Sequence, residues 1–368
     1  LNADPTSKAL IAAAGNVGLL LSLWLVPAVG QSGRPMMQVA AWLMIGGAIA
    51  MLIVAAVPVV PLLVLATLVG IGASNAIIPL ITATYQDNYP PRARGRLVSR
   101  SFVIRVIAAA AFAELGGRLL TEDITRFRWL LLCFGLAFGA TAYCLARIPS
   151  QPPSHAPLRL AGQSALGATF VGALASLRHV QTDRTLRWML VSWMLMGFAN
   201  LMMLPLRVEY LANPRYGLML NPQQIALYTL LIPALVRLVL SPLWGRLFDR
   251  MNFFAMRIVL NSGFALSILA FFTGASEVGL ALGAVVFGAS AAGGEIAWNL
   301  WVTKFAPAER VAEYMSVHTF LTGVRGVIAP FVAFQLTQQL PISHVALICA
   351  GLIGLASVVL VPESQRSA

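Results

Sequence analysis

The chain has 368 residues, 59% hydrophobic and only 10% charged, with a mean hydropathy of +0.81. Soluble domains carry about a quarter charged residues, so lipid must be the solvent for much of this chain. That excludes a disordered chain, a disulfide-stapled secreted scaffold and a cytosolic enzyme. The net charge is +12, and every basic residue except Lys8 and Lys304 is Arg. In a membrane chain such charge gathers in cytoplasmic loops beside anionic lipid and does not point to nucleic acid. Cys133, Cys144 and Cys349 lie in apolar stretches without CxxC spacing. They read as small core hydrophobes, not as metal ligands or disulfides.

A membrane-spanning helix needs about 20 mostly apolar residues. Eleven stretches qualify in chain order: 9–29, 37–57, 61–84, 99–119, 129–147, 188–207, 225–244, 256–273, 277–303, 314–337 and 342–361. Breaks fall at polar or proline-bearing segments such as 30–35 and 88–95. The longest gap, 148–187, holds one amphipathic stretch, 165–178, expected to lie along the membrane surface. This divides the chain into a first bundle (1–148), a cytoplasmic linker (149–187) and a second bundle (188–368). No gap accommodates a soluble catalytic domain.

Basic residues alternate between loops. With residues at span edges counted in the adjoining loops, sixteen fall in one set of loops and six in the other, leaving Arg105, Arg237 and Arg325 well inside spans. The bias places the linker and the C-terminus in the cytoplasm. The expected setting is a multi-pass plasma membrane protein, in a bacterium the inner membrane.

The two halves repeat. Leu1-Asn-Ala-Asp-Pro echoes Leu220-Asn-Pro-Gln-Gln. Tyr89-Pro-Pro-Arg-Ala-Arg echoes Phe305-Ala-Pro-Ala-Glu-Arg at an offset near 216. Parallel repeats joined by a long linker mark one transporter architecture. The second half has six spans and the first five, so the repeat predicts a further helix before Leu1 and twelve spans natively.

The segment Gly245-Arg-Leu-Phe-Asp249-Arg250 resembles the cytoplasmic G-x-L-x-D-R loop of the major facilitator superfamily, and the likeness extends over essentially the whole chain. It implies an all-α membrane protein of two pseudo-symmetric six-helix bundles working by alternating access. It also implies a gating loop in which Gly245, Asp249 and Arg250 clamp one access state. The first-half copy, Gly30-Gln-Ser-Gly-Arg34, keeps Gly30 and Arg34 but has no acid. The family's basic residue of the fourth helix has no counterpart, since 61–84 carries no charge, and its antiporter motif survives only as Gly116-Gly117.

Charges inside spans are costly and mark pathways or partners. Arg325 and Arg105, on corresponding spans of the two halves, are candidates to grip a carboxylate or phosphate. Glu295, after Gly293-Gly294, is the candidate proton carrier, with Arg237 as its partner in coupling; the bland alternative is a permanent ion pair of Glu295 with Arg325 or Arg237. Asn75, Asn200, Trp298 and Asn299 fall on spans that bound the family's cavity and are candidate substrate contacts. They also suit the gluing of helices. No P-loop, HExxH or G-x-S-x-G is present.

The expected function is proton-linked movement of a small organic anion or amphiphile by a monomer, without cofactor, metal or nucleic acid. The alternatives are a multidrug exporter of lipophilic cations and a non-transporting membrane sensor or assembly factor.

Overall fold

A computed structural model describes residues 5–153, 164–273 and 276–362. Leu1–Asp4, the opening of the first repeat, lies outside the described residues, as do Arg159 and Arg366 of the loop-charge count. The helices in chain order are α1 (Pro5–Ser32), α2 (Met36–Ala56), α3 (Val60–Ala76), α4 (Ile78–Asn88), α5 (Arg94–Glu122), α6 (Phe127–Ala146) and α7 (Ala165–Thr182). They continue as α8 (Arg184–Ala212), α9 (Pro222–Ala226), α10 (Ile232–Arg250), α11 (Phe253–Phe272), α12 (Glu277–Leu300), α13 (Val311–Gln339) and α14 (Ile342–Val358). Every one of the eleven expected spans lies on these helices, and no strand occurs among the described residues.

Nine helical segments among the described residues are long and apolar enough to cross a membrane, and α14 is a shorter apolar helix. Lipid cannot satisfy a bare backbone N–H or C=O, so spanning segments close their hydrogen bonds internally as helices. α2 shows what the solvent is. Ala40, Met44, Ala48 and Met51 are buried, while Ile45, Ile49 and Ile53 on the other side are exposed. A helix apolar all round suits a bilayer, not water.

The described residues form two compact units. The first comprises Leu1–Asn88, Ala108–Thr182 and Phe305–Val324; the second comprises Tyr89–Ile107, Asp183–Lys304 and Arg325–Ala368. Each unit therefore contains a segment from the other sequence repeat.

In the first unit small residues set the helix spacing. A Cβ on Gly47 would lie 2.9 Å from the Cα of Gly70, and one on Gly18 2.7 Å from the Cα of Gly72. Met51, Val54 and Ala66 form an apolar core, joined by Leu63, Leu131 and Phe138. α7 packs against α1 and buries Ala168, Ala173 and Ser176, leaving Phe170, Val171 and Leu174 exposed. α7 thus has one face on protein and an apolar face outward. Cys133 and Cys144 are exposed on α6 and only Cys349 is buried. The first two therefore sit on the outer apolar surface, and the core reading of them is corrected: an apolar neighbourhood in a membrane chain does not distinguish core from lipid.

In the second unit α12 packs on both α10 and α11. A Cβ on Gly288 would lie 2.8 Å from the carbonyl oxygen of Pro233, and one on Gly283 2.8 Å from the Cβ of Phe271. The turn Leu227–Leu231 before α10 is a π-helix. Pro233 explains it: with no N–H to donate to the carbonyl four residues back, its ring forces the turn open.

Candidate substrate and gating sites

The close approach of α10 and α12 also sets two charges face to face. A Cβ on Gly293 would lie 2.6 Å from the Trp244 ring and from Leu260, so only glycine admits these neighbours. Two residues on, Glu295 accepts from Arg237 through Oε2 and pairs with Arg105 of α5 through Oε1. One carboxylate thus joins two guanidiniums, and the triad as charged carries one net positive charge. The Arg105 side chain is 56% exposed, against 18% for Glu295. Asn299 donates to the backbone carbonyl of Glu295 at 2.8 Å, and Trp298 and Asn200 are half-buried in the same unit.

Arg325 is not brought to this triad. It is buried, and its Nη1 donates to the carbonyl oxygen of Trp193 on α8. Its guanidinium lies over Gly197, where any side chain would collide with it. Trp193 carries a second cation on its ring face, the guanidinium of Arg257 at 3.6 Å. The two Arg residues read together from the sequence, Arg105 and Arg325, therefore belong to separate clusters.

The Gly245–Arg250 segment ends α10. Asp249 accepts from the backbone N–H groups of Gly95 and Arg96 at 2.6 and 3.0 Å. Those are orphan donors in the first turn of α5, where the helix dipole also favours a carboxylate. The approach needs glycine on both sides. A Cβ on Gly95 would lie 2.6 Å from the Gly245 carbonyl oxygen, and one on Gly245 2.8 Å from the Gly95 carbonyl oxygen. Lys304 covers the ring of Phe248 at 4.6 Å, and Arg94 donates to the carbonyl oxygens of Thr303 and Tyr89. Arg250 is exposed.

The other sequence candidates lie in the first unit. Asn75 donates to the Gly15 carbonyl oxygen at 3.1 Å and so joins α3 to α1. Gly30 is buried, and Arg34 is exposed and stacks over Trp42 at 4.3 Å. α1 meets the first part of α13 through uncharged groups. Ser22 and Thr319 share a hydrogen bond of 2.5 Å, and Trp24 meets Phe320 edge-on at 5.7 Å.

Sequence reasoning missed three buried cations among the described residues. Arg94, Arg207 and Arg257 were counted among loop charges, yet all three are buried within the second unit. Arg207 lies between the rings of Phe271 and Phe287 and donates to Ser267. For Arg207 and Arg257 the available signal was an Arg flanked by apolar residues within a turn of a span. The other omission was the partner of Asp249: Gly95, a glycine inside a basic run at a helix start, offers its backbone amide. Among the described residues no group of three or more His, Cys, Asp or Glu side chains is placed to hold a metal ion.

No curated protein is a significant sequence match. Solved structures are similar in fold. The human organic anion transporter MFSD10 superposes with a TM-score of 0.75 at 18% identity, covering 95% of this chain and 83% of that one. The Escherichia coli fucose:proton symporter FucP gives 0.72 at 14% identity, with coverages of 97% and 90%. A bacterial homologue of the iron transporter ferroportin gives 0.69 at 17% identity, with coverages of 99% and 92%. The Major Facilitator Superfamily model matches residues 1–330, and again 215–368, the second match starting close to where the second repeat opens at Leu220. Family match and helical architecture agree, and the chain belongs to the Major Facilitator Superfamily.

Proposed function

We propose that this transporter moves a small organic anion together with protons, and that the Arg105–Glu295–Arg237 triad couples the two. One observation carries the reading: a single carboxylate engages both guanidiniums. A substrate carboxylate, or two oxygens of a phosphate, presents the same pair of acceptors as the Glu295 side chain and competes for the same donors. Protonation of Glu295 ends its claim on Arg105 and Arg237 and opens them to the anion. Deprotonation restores the internal pair and expels it. Proton and anion are then linked by competition for one set of donors, not by a relay.

Asp249, seated on the N-terminus of α5, serves as the gate: it holds one access state, and its release permits the other. Asn299, Trp298 and Asn200 complete the substrate surface. The protein acts as a monomer in the plasma membrane, its linker helix at the cytoplasmic face. The bundles correspond to 1–148 and 188–368, joined by 149–187. The printed description of one structural neighbour as an organic anion transporter is in keeping with this reading.

The test is flux in proteoliposomes with an imposed pH gradient, using benzoate, succinate, citrate and inorganic phosphate as probes. An inward-acid gradient should change the steady-state distribution of at least one anion, and Glu295→Gln should make its flux indifferent to the gradient. Gradient-driven movement of lipophilic cations alone identifies a multidrug exporter. Saturable binding without flux identifies a sensor.

A further inference from the structure

A second cation cluster lies in the same unit and shares no residue with the triad. Arg257 projects from the second turn of α11 and has no exposed surface. Its guanidinium lies on the Trp193 ring, and none of its three nitrogens has a hydrogen-bond partner among the described residues. Arg325 is buried against the same residue, and among the described residues it bonds through Nη1 to the Trp193 carbonyl oxygen and its Nε has no partner. The two guanidiniums share one residue, Arg257 over the Trp193 ring and Arg325 against its carbonyl oxygen, so like charges are gathered at one place, and none of the ion pairs formed among the described residues includes either. The hydroxyl of Ser192, next to Trp193, is likewise buried without a partner.

The π face of Trp193 offsets part of the charge of one guanidinium. It supplies no acceptor for the N–H groups. Buried donors are otherwise nearly always satisfied, and buried charges are paired. Arg207, another overlooked buried cation, differs in its surroundings: it lies between two rings and donates to Ser267 through Nη2, although its Nε and Nη1 are also unbonded among the described residues, and no second guanidinium shares its aromatic partners. Two adjacent guanidinium forks with free donors match the oxygen geometry of a carboxylate or phosphate.

We propose that Arg257 and Arg325, framed by Trp193, form a second oxyanion site in the second unit, which takes the carboxylate or phosphate group of a small anion. The site rests on the anion reading of this transporter, and adds to it a station beyond the triad. The anion brings the missing acceptors and removes the repulsion. Gly197 is required because the guanidinium of Arg325 occupies the place of a side chain there.

The test is thermal unfolding of the full chain in detergent, in a buffer whose anion is large and weakly coordinating. Inorganic phosphate, sulfate, succinate and benzoate are titrated into wild type, Arg257→Gln, Arg257→Met and Arg105→Gln. At least one anion should raise the wild-type Tm along a saturating curve. Either Arg257 substitution should weaken that response at least about tenfold, which is about 1.4 kcal/mol. The Arg257 variants should also match or exceed wild-type Tm without anion, because an unpaired buried charge is removed. Arg105→Gln removes the share of the response that belongs to the triad and should leave a saturating rise that Arg257→Met abolishes when the two substitutions are combined. The proposal is overturned if no probe gives a saturating rise, if both Arg257 variants respond as wild type does, or if the response disappears with Arg105→Gln and persists with Arg257→Met. Should Arg257→Gln not fold, the Met variant, similar in length and apolar, carries the same comparison. Should neither fold, the site is sought in wild type by radiolabelled phosphate binding, and a stoichiometry of zero overturns it. Loss of the Arg257-dependent response with pH-coupled flux intact refutes this site alone. The converse refutes the triad alone.

Discussion

The contact of α1 with the first part of α13, inside the first unit, and that of α10 with the first part of α5, inside the second, come from corresponding places in the sequence repeat. Their chemistry is opposite. The first is uncharged: Ser22 meets Thr319, and Trp24 meets Phe320. The second is ionic: Asp249 sits on the Gly95 and Arg96 amides, and Glu295 joins Arg105 to Arg237. Duplication supplied the same helices twice, and at this contact charge was placed on one copy. A charged contact can be switched by a proton or an anion, whereas an uncharged one can only pack. The difference assigns switching to the α5–α10–α12 contact and scaffolding to the face of α13 that meets α1, while α13 carries its own charges elsewhere, Glu313 paired with His179 of α7 and Arg325 against Trp193.

The sharpest way to break this contrast is Glu295→Gln. It keeps the size of the side chain and abolishes proton-driven accumulation, while anion exchange without a gradient survives. Parallel accumulation and counterflow assays in proteoliposomes read both. Next comes Gly95→Val. The new Cβ meets the Gly245 carbonyl oxygen, which is backbone and cannot rotate away. Flux should fall at least about tenfold, the effect of shifting the access equilibrium by about 1.4 kcal/mol. Asp249→Asn is milder: one acceptor oxygen remains and the charge is lost. A charge-assisted hydrogen bond contributes about 1.5–3 kcal/mol, so flux should drop several-fold and thiol labelling of engineered cysteines on α5 should rise. Smallest is Thr319→Val on the uncharged contact. It removes one neutral hydrogen bond, worth about 1 kcal/mol, and should lower Tm by a few degrees with flux unchanged. A flux defect equal to that of Asp249→Asn would erase the contrast.

Most spans were legible because bilayer thickness dictates apolar length: among the described residues nine helical segments meet it and α14 is a shorter apolar helix, whereas the stretch 99–119, on the charge-bearing α5, is helical but is not one of them. The gating loop was legible because Gly245 and Asp249 keep a recognisable spacing. What that loop holds was not. Its partner is the backbone of Gly95 and Arg96, and amides leave no mark in sequence beyond the glycine that admits them. Arg237 beside Glu295 was among the pairings open from sequence, whereas Arg105 as the second partner was not, since it depends on which helices meet. Arg257 was hidden for a simpler reason. Loop-charge counting assigns an Arg near a span's edge to the loop, and the turn by which it enters the unit is within the uncertainty of any boundary.

The most direct measurement is the pH dependence of anion binding by thermal stabilisation, wild type against Glu295→Gln. Benzoate, succinate, citrate and phosphate are titrated from acid to neutral pH. If Glu295 and the anion compete for Arg105 and Arg237, wild type binds tightly in acid. It then weakens as Glu295 deprotonates, by about tenfold per pH unit where one proton accompanies one anion. Glu295→Gln should bind as tightly at neutral pH as wild type does in acid, with no slope. The same slope in both proteins would contradict the account, as would a Gln variant that has lost affinity altogether.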